Sequence, residues 1–98
     1  MDSKSATLSV GVIIPVYNSG QEAINAINSI AAQTIVQVKE IIIVDDGSWD
    51  GSAEYLRQAS QCYSIPIHIF TTPNRGVANA RNLGMQNCSC ELYAFLDS

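Results

Sequence analysis

Four short apolar runs punctuate the chain, at residues 8–14, 41–44, 65–70 and 92–96. Residues 41–44 read Ile-Ile-Ile-Val, a continuous β-branched stretch. Bounded by turn residues, such a run predicts a strand buried on both faces, as in parallel sheets. LSVGVII at 8–14 reads the same way, ended by Pro15, which cannot donate to a ladder. The third run carries Pro66 near its start and His68 on the face opposite Ile67 and Ile69, so His68 reads as a sheet-face or edge residue rather than a ligand. LYAFL at 92–96 is the fourth strand.

Between these runs the period changes to that of a helix. Ser19 with Glu22 three residues on forms a capping box, and Ile24, Ile27 and Ile30 follow at helical spacing to about residue 33. Residues 52–63 predict a second helix with Ala53, Leu56 and Ala59 inward. Residues 77–86 predict a third, with Val77, Ala80, Leu83 and Gly84 as its apolar face. The order β-α-β-α-β-α-β predicts an α/β fold, a parallel sheet of about four strands with helices on both faces and right-handed crossovers.

Each predicted strand ends on an unusual polar group: Pro15-Val16-Tyr17-Asn18, Asp45-Asp46, Asn74-Arg75 and Asp97. Carboxylates are costly to bury unpaired, so Asp45 and Asp46 are expected at the lip of the sheet, where ligands bind in open α/β folds. Ser48 and Asp50 read instead as caps of the following helix. Tyr17 alone would read as packing. Converging with the other strand ends, it offers a flat face for stacking. An aromatic face, carboxylates, amides and a guanidinium from Arg75 or Arg81 together suit a nucleotide. The glycine-rich loop of a dinucleotide fold or a P-loop is missing.

Composition narrows the choice. With 47% hydrophobic and 14% charged residues in 98, the chain is one small folded unit. Residues 1–7 read as a flexible leader and 8–98 as the domain. A net charge of −4 without a basic run argues against nucleic acid as partner. The three cysteines are odd in number, and Cys88-Ser89-Cys90 is too tight for a usual zinc half-site, with no second Cys/His pair. They read as reduced thiols of a cytoplasmic protein. No apolar run has membrane-spanning length, and the start lacks a signal-peptide layout.

VIIPVYN, EIIIVDDGSWDGS, NRGVANARNLG and YAFLDS resemble, in order and spacing, the successive motifs of family 2 glycosyltransferases. The resemblance covers residues 9 to 98. It implies a GT-A fold, and an inverting transfer of a sugar from a nucleotide-diphosphate sugar, with a UDP-sugar favoured, to a glycan or lipid-linked acceptor. It implies Tyr17, with Pro15 beside it, near the base, and the Asp45-Asp46 pair at the nucleotide, with Asp46 recognising the base. Asn74 and Arg81 would lie near the nucleotide. Asp97 would be the first acid of a D-x-D motif, a partial ligand for Mg²⁺ or Mn²⁺ toward the donor sugar. Trp49 stands where the family usually has a small or hydroxyl residue. The second D-x-D acid, the acceptor site and the catalytic base would lie beyond Ser98. The 98 residues alone are therefore expected to bind a donor without turning it over. Cell-surface polysaccharide synthesis at the inner face of a membrane is the expected setting. Apolar strand 92–96, whose outer edge or apolar face would lack its cover here, suggests a homodimer.

Two other classes compete. A non-enzymatic α/β phosphoreceiver would place its acidic pair after the first strand and a lysine after a late one. Here the pair follows the second strand, and the lysines are Lys4 and Lys39. An interaction module explains Ser48 and Asp50 but not the groups at the other strand ends.

Overall fold

The β-branched run becomes the centre of the sheet: Ile41, Ile42, Ile43 and Val44 are all fully buried. The computed structural model describes residues 9–97; the expected leader at 1–7, residue 8 and residue 98 lie outside the described residues. Seven elements alternate: β1 (Ser9–Val16), α1 (Gly20–Ala32), β2 (Gln37–Asp45), α2 (Ser52–Ser60), β3 (Ile67–Thr71), α3 (Val77–Gln86) and β4 (Leu92–Phe95). Every strand pair is parallel, and the spatial order is β3-β2-β1-β4. This is the expected α/β architecture. No helix among the described residues is long and apolar enough to cross a membrane.

The alternation of β1 and β2 supplies two cores. Val12, Ile14, Val16, Ile41 and Ile43 pack against Ile24, Ile27 and Ile30 of α1 and Leu56 of α2. On the other face Ile13, Ile42 and Val44 pack against Ala80 of α3. Each fully buried isoleucine contributes about 1.5–3 kcal/mol. The β1–β2 pair therefore anchors the fold, while the residues of β4 all stay exposed.

Pro15 does not end β1. It pairs with Val44 in the β1–β2 register. The Ile13 carbonyl accepts the Leu96 N–H on the β4 side, and Pro15 shares that orientation. Its missing donor thus faces the place where the β4 ladder has stopped, and no bond is lost. The second helix stops at Ser60, short of the expected residue 63, and the third strand starts only at Ile67, past Pro66.

The amino end of the sheet carries a polar knot. Glu40 is buried, and its Oε2 accepts the Ser89 N–H at 2.7 Å and the Ser89 hydroxyl at 2.8 Å. Burial raises its pKa, but these bonds outweigh burial and hold Glu40 below the usual carboxylate range. His68 is half exposed, with Nε2 3.6 Å from Glu40 Oε1.

Candidate functional site

Strand order reverses at β1, with β2 on one side and β4 on the other. The crevice beyond the carboxyl ends of strands at such a switch point is where open α/β sheets bind ligands. A cleft of about 600 Å³ opens there, within the usual range for small-molecule sites. Pro15, Tyr17, Asp46, Asn74, Arg81 and Asp97 all line it. The structure thus brings residues from all four strand ends together, while Asp45, Asn18 and Arg75 lie outside the cleft lining.

Asp45 corrects the expectation of an open acidic pair. It is buried, its Oδ2 accepts the Ser48 N–H at 3.1 Å, and its Oδ1 accepts the Ser48 hydroxyl. Successive strand side chains point to opposite faces, so Asp45 turns toward the α1–α2 side and Asp46 toward α3. Ser48 corrects a second expectation, because it caps no helix. Its Oγ accepts the Asn18 N–H at 2.8 Å, and Asn18 Oδ1 accepts the Trp49 N–H at 3.0 Å. These bonds stitch the loop after β1 to the loop after β2. Asp50 does serve the next helix, accepting the Ser52 N–H at 3.0 Å and its hydroxyl at 2.6 Å, and the hydroxyl bond holds its pKa down. Ser19 is the N-cap residue of α1 and its carbonyl accepts the Ala23 N–H at 3.0 Å, but its side chain makes no capping bond; Oγ accepts the Tyr17 N–H at 3.3 Å.

Asp46 is buried as well, yet one side of it faces the cleft. Its Oδ1 accepts the Arg75 N–H at 2.8 Å and the Thr72 hydroxyl at 3.0 Å, and its Oδ2 accepts the Gly76 N–H at 2.9 Å. Backbone donors therefore compensate the buried charge. Oδ2 has room for another bond. Gly47 makes this arrangement possible: its φ is +80°, and a Cβ there would sit 2.8 Å from the Asn74 nitrogen. Only glycine lets the loop carrying Asn74 close over β2.

Arg81 Nη2 lies 3.0 Å from Asp97 Oδ1, and its guanidinium carbon lies 5.7 Å from the Phe95 ring centroid. Its Nε is buried and has no hydrogen-bond partner. Arg75, the other candidate guanidinium, lines a separate hollow with Thr72 and Asn79. Tyr17 is half exposed. Ser19, Gly76 and Val77 also line the cleft and were not anticipated. Their one signal is position, since each lies at a helix start that directly follows a strand-end loop.

The sequence model described as Glycosyl transferase family 2 matches residues 11–98. The chain belongs to family 2 of the glycosyltransferases. This glycosyltransferase chain is 38% identical over 89 residues to glycosyltransferase AglE of Haloferax volcanii, covering 90% of this chain and 29% of that protein. It is 47% identical over 90 residues to an uncharacterized glycosyltransferase of Rickettsia felis, covering 91% and 14%. Its fold is similar, with a TM-score of 0.82 and 25% identity, to the mannosyltransferase PcManGT of Pyrobaculum calidifontis, solved in complex with GDP-Man and Mn²⁺. That match covers 93% of this chain and 27% of the other. Glucosyl-3-phosphoglycerate synthase of Mycobacterium tuberculosis, solved with Mn²⁺, UDP and glucosyl-3-phosphoglycerate, shares the fold with a TM-score of 0.74 at 22% identity, covering 96% and 34%. These likenesses place the chain in the GT-A fold. It spans between 12% and 29% of the length of the curated relatives it matches.

Proposed function

We propose that this chain forms the donor-binding part of a glycosyltransferase that uses a nucleotide-diphosphate sugar, with uridine as the favoured nucleoside. The carrying observation is the cleft at the β1/β4 switch point, lined at once by Tyr17, Asp46, Arg81 and Asp97. Tyr17 and Pro15 offer the face on which the base stacks. The spare capacity of Asp46 Oδ2 suits a base with a ring N–H, such as uracil or guanine, and disfavours cytosine, whose equivalent nitrogen is an acceptor. Uracil is the smaller of the two that suit. Asn74 adds an amide, and Arg81 brings a guanidinium to the cleft wall as a donor for the diphosphate.

A hard divalent cation, Mg²⁺ or Mn²⁺, takes oxygen ligands. Asp97 is the right kind of donor, and its side chain is 80% exposed at the cleft. As a single carboxylate it would hold part of such an ion's shell. When bound, the cation offsets charge on the leaving diphosphate. The reaction in this reading is inverting: an acceptor hydroxyl displaces the diphosphate at the anomeric carbon, with Tyr17, Asp46 and Arg81 fixing the donor's position. A glycan or lipid-linked acceptor, cell-surface polysaccharide synthesis and a place at the cytoplasmic face of a membrane fit the family and complete the proposal.

Calorimetry with UDP, GDP and CDP tests the reading. UDP should bind more tightly than GDP, and CDP most weakly, with little gain on adding Mn²⁺, since Asp97 alone supplies only part of its shell. Equal affinity for UDP and CDP removes base recognition by Asp46, and no binding of any nucleoside diphosphate overturns the donor site.

A further inference from the structure

We propose that Glu40, Cys88 and Cys90 form a second metal site, for a borderline-soft divalent ion of the zinc type, at the amino end of the sheet. One carboxylate oxygen of Glu40 and the sulfurs of Cys88 and Cys90 lie within 4.8 Å of one another. Cys90 Sγ is 3.7 Å from Glu40 Oε2. Zinc bonds of about 2.3 Å to sulfur and about 2.0–2.2 Å to oxygen set tetrahedral ligands about 3.3–3.8 Å apart. The cluster needs only a small contraction to reach that spacing. Glu40 is held by β2, but both cysteines lie on the loop between α3 and β4, so the loop can close the difference.

The surroundings are those of a built site. Gly11 of β1 pairs with Glu40, and a Cβ on Gly11 would sit 2.4 Å from Cys88 Sγ. The sulfur occupies the space that glycine leaves over the sheet. The Ser89 N–H and hydroxyl both donate to Glu40 Oε2 and orient the carboxylate, the role that outer partners play around a metal ligand. His68 Nε2 lies 3.6 Å from Glu40 Oε1 on a half-exposed side chain. A turn of this imidazole, or a water, supplies the fourth position. The sequence spacing of the cysteines pointed away from zinc because the remaining donors are not local. They come from β2 and β3, brought together by the sheet.

This site differs in chemistry from the cleft and does not depend on the donor-binding proposal. Thiolates select borderline and soft ions, whereas the carboxylate of Asp97 selects hard ones. An ion here would pin the α3–β4 loop to β2. It would thereby steady two elements that serve the cleft, α3 with Arg81 and β4 with Asp97 after it.

Anaerobic titration of the reduced 98-residue protein with Co²⁺ tests the proposal. One equivalent should produce a thiolate-to-cobalt charge-transfer band, Zn²⁺ should abolish it, and excess Mg²⁺ should not. Cys88→Ser with Cys90→Ser should remove the band and lower Zn²⁺ affinity by at least about 100-fold, and Glu40→Gln should lower it by at least about tenfold. Cys62→Ser should leave both unchanged. Circular dichroism of each variant separates loss of binding from loss of fold. Failure to form the band, a band that survives in the double cysteine variant, or a Cys88–Cys90 disulfide in protein isolated without oxidant would overturn it.

Discussion

The Asp46 carboxylate accepts the Gly76 N–H at 2.9 Å, across 30 residues of sequence. This bond ties the end of β2 to the start of α3, the two walls between which Asn74 reaches the cleft. With the Arg75 N–H on its other oxygen, Asp46 both closes the site and faces it.

Removing that carboxylate therefore has two separable effects. Asp46→Ala leaves the Arg75 and Gly76 N–H groups without their acceptor and should cost about 1–3 kcal/mol of stability. It should also cost about 1–3 kcal/mol of UDP binding, since the base N–H loses its partner. Asp46→Asn keeps the shape and one acceptor oxygen, so it should recover part of the stability while recovering less of the affinity. Urea denaturation and calorimetry on the same samples separate the two. Unchanged UDP affinity in Asp46→Ala would take Asp46 out of the base pocket.

Gly47→Ala tests the closure of the loop directly. At φ +80° a side chain is strained, and the added Cβ meets the Asn74 backbone nitrogen at 2.8 Å. The cost should be about 1–3 kcal/mol, and displacement of the Asn74 loop should weaken nucleotide binding in the protein that remains folded. A denaturation midpoint equal to that of the parent would show that the loop yields without strain.

The fold was legible because β-branched runs and helical periods alternate without ambiguity. The strand ends were legible because polar groups there interrupt apolar runs. The sheet order was not, since nothing local tells β4 to pair with β1 on its far side. That order decides why Pro15 can stay in a strand and why Glu40 meets Cys90, 50 residues away. Nor did the residues by themselves separate Asp45 from Asp46; only the family resemblance singled out Asp46. Adjacent and chemically identical, they differ only in the face each enters, one serving Ser48 and the other the cleft.

Arg81 offers a test of what the cleft holds beyond the base. Its bridge to Asp97 is exposed and worth no more than about 1 kcal/mol. Arg81→Ala should therefore leave the thermal midpoint nearly unchanged. If the guanidinium meets the diphosphate, UDP affinity should fall roughly tenfold, about 1.4 kcal/mol, while uridine binding stays the same. Equal losses for UDP and uridine would place Arg81 at the nucleoside instead.

The β4 strand leads to the last expectation. Tyr93 and Phe95 stack edge-on at 6.0 Å, with Arg81 over the Phe95 ring, so they lie on the α3 face. Leu92 and Leu96 fall on the opposite face by strand alternation. Apolar residues on both faces are the mark of a strand buried on both sides, yet Leu92, Tyr93, Phe95 and Leu96 are 37–46% exposed. Among the described residues β4 is also an edge of the sheet, and an edge strand presents a row of unpaired backbone groups. Two copies meeting β4 to β4 about a two-fold axis would pair these edges and cover the apolar residues together. The 98-residue chain should therefore show a concentration-dependent mass above 10.6 kDa in light scattering. Leu92→Lys with Tyr93→Lys should return it to the monomer, because two like charges on each edge would then face their copies. Salt should weaken that repulsion but not association of the parent, since a β4-to-β4 contact would be apolar and hydrogen-bonded rather than ionic. A clean monomer at every concentration would overturn this expectation.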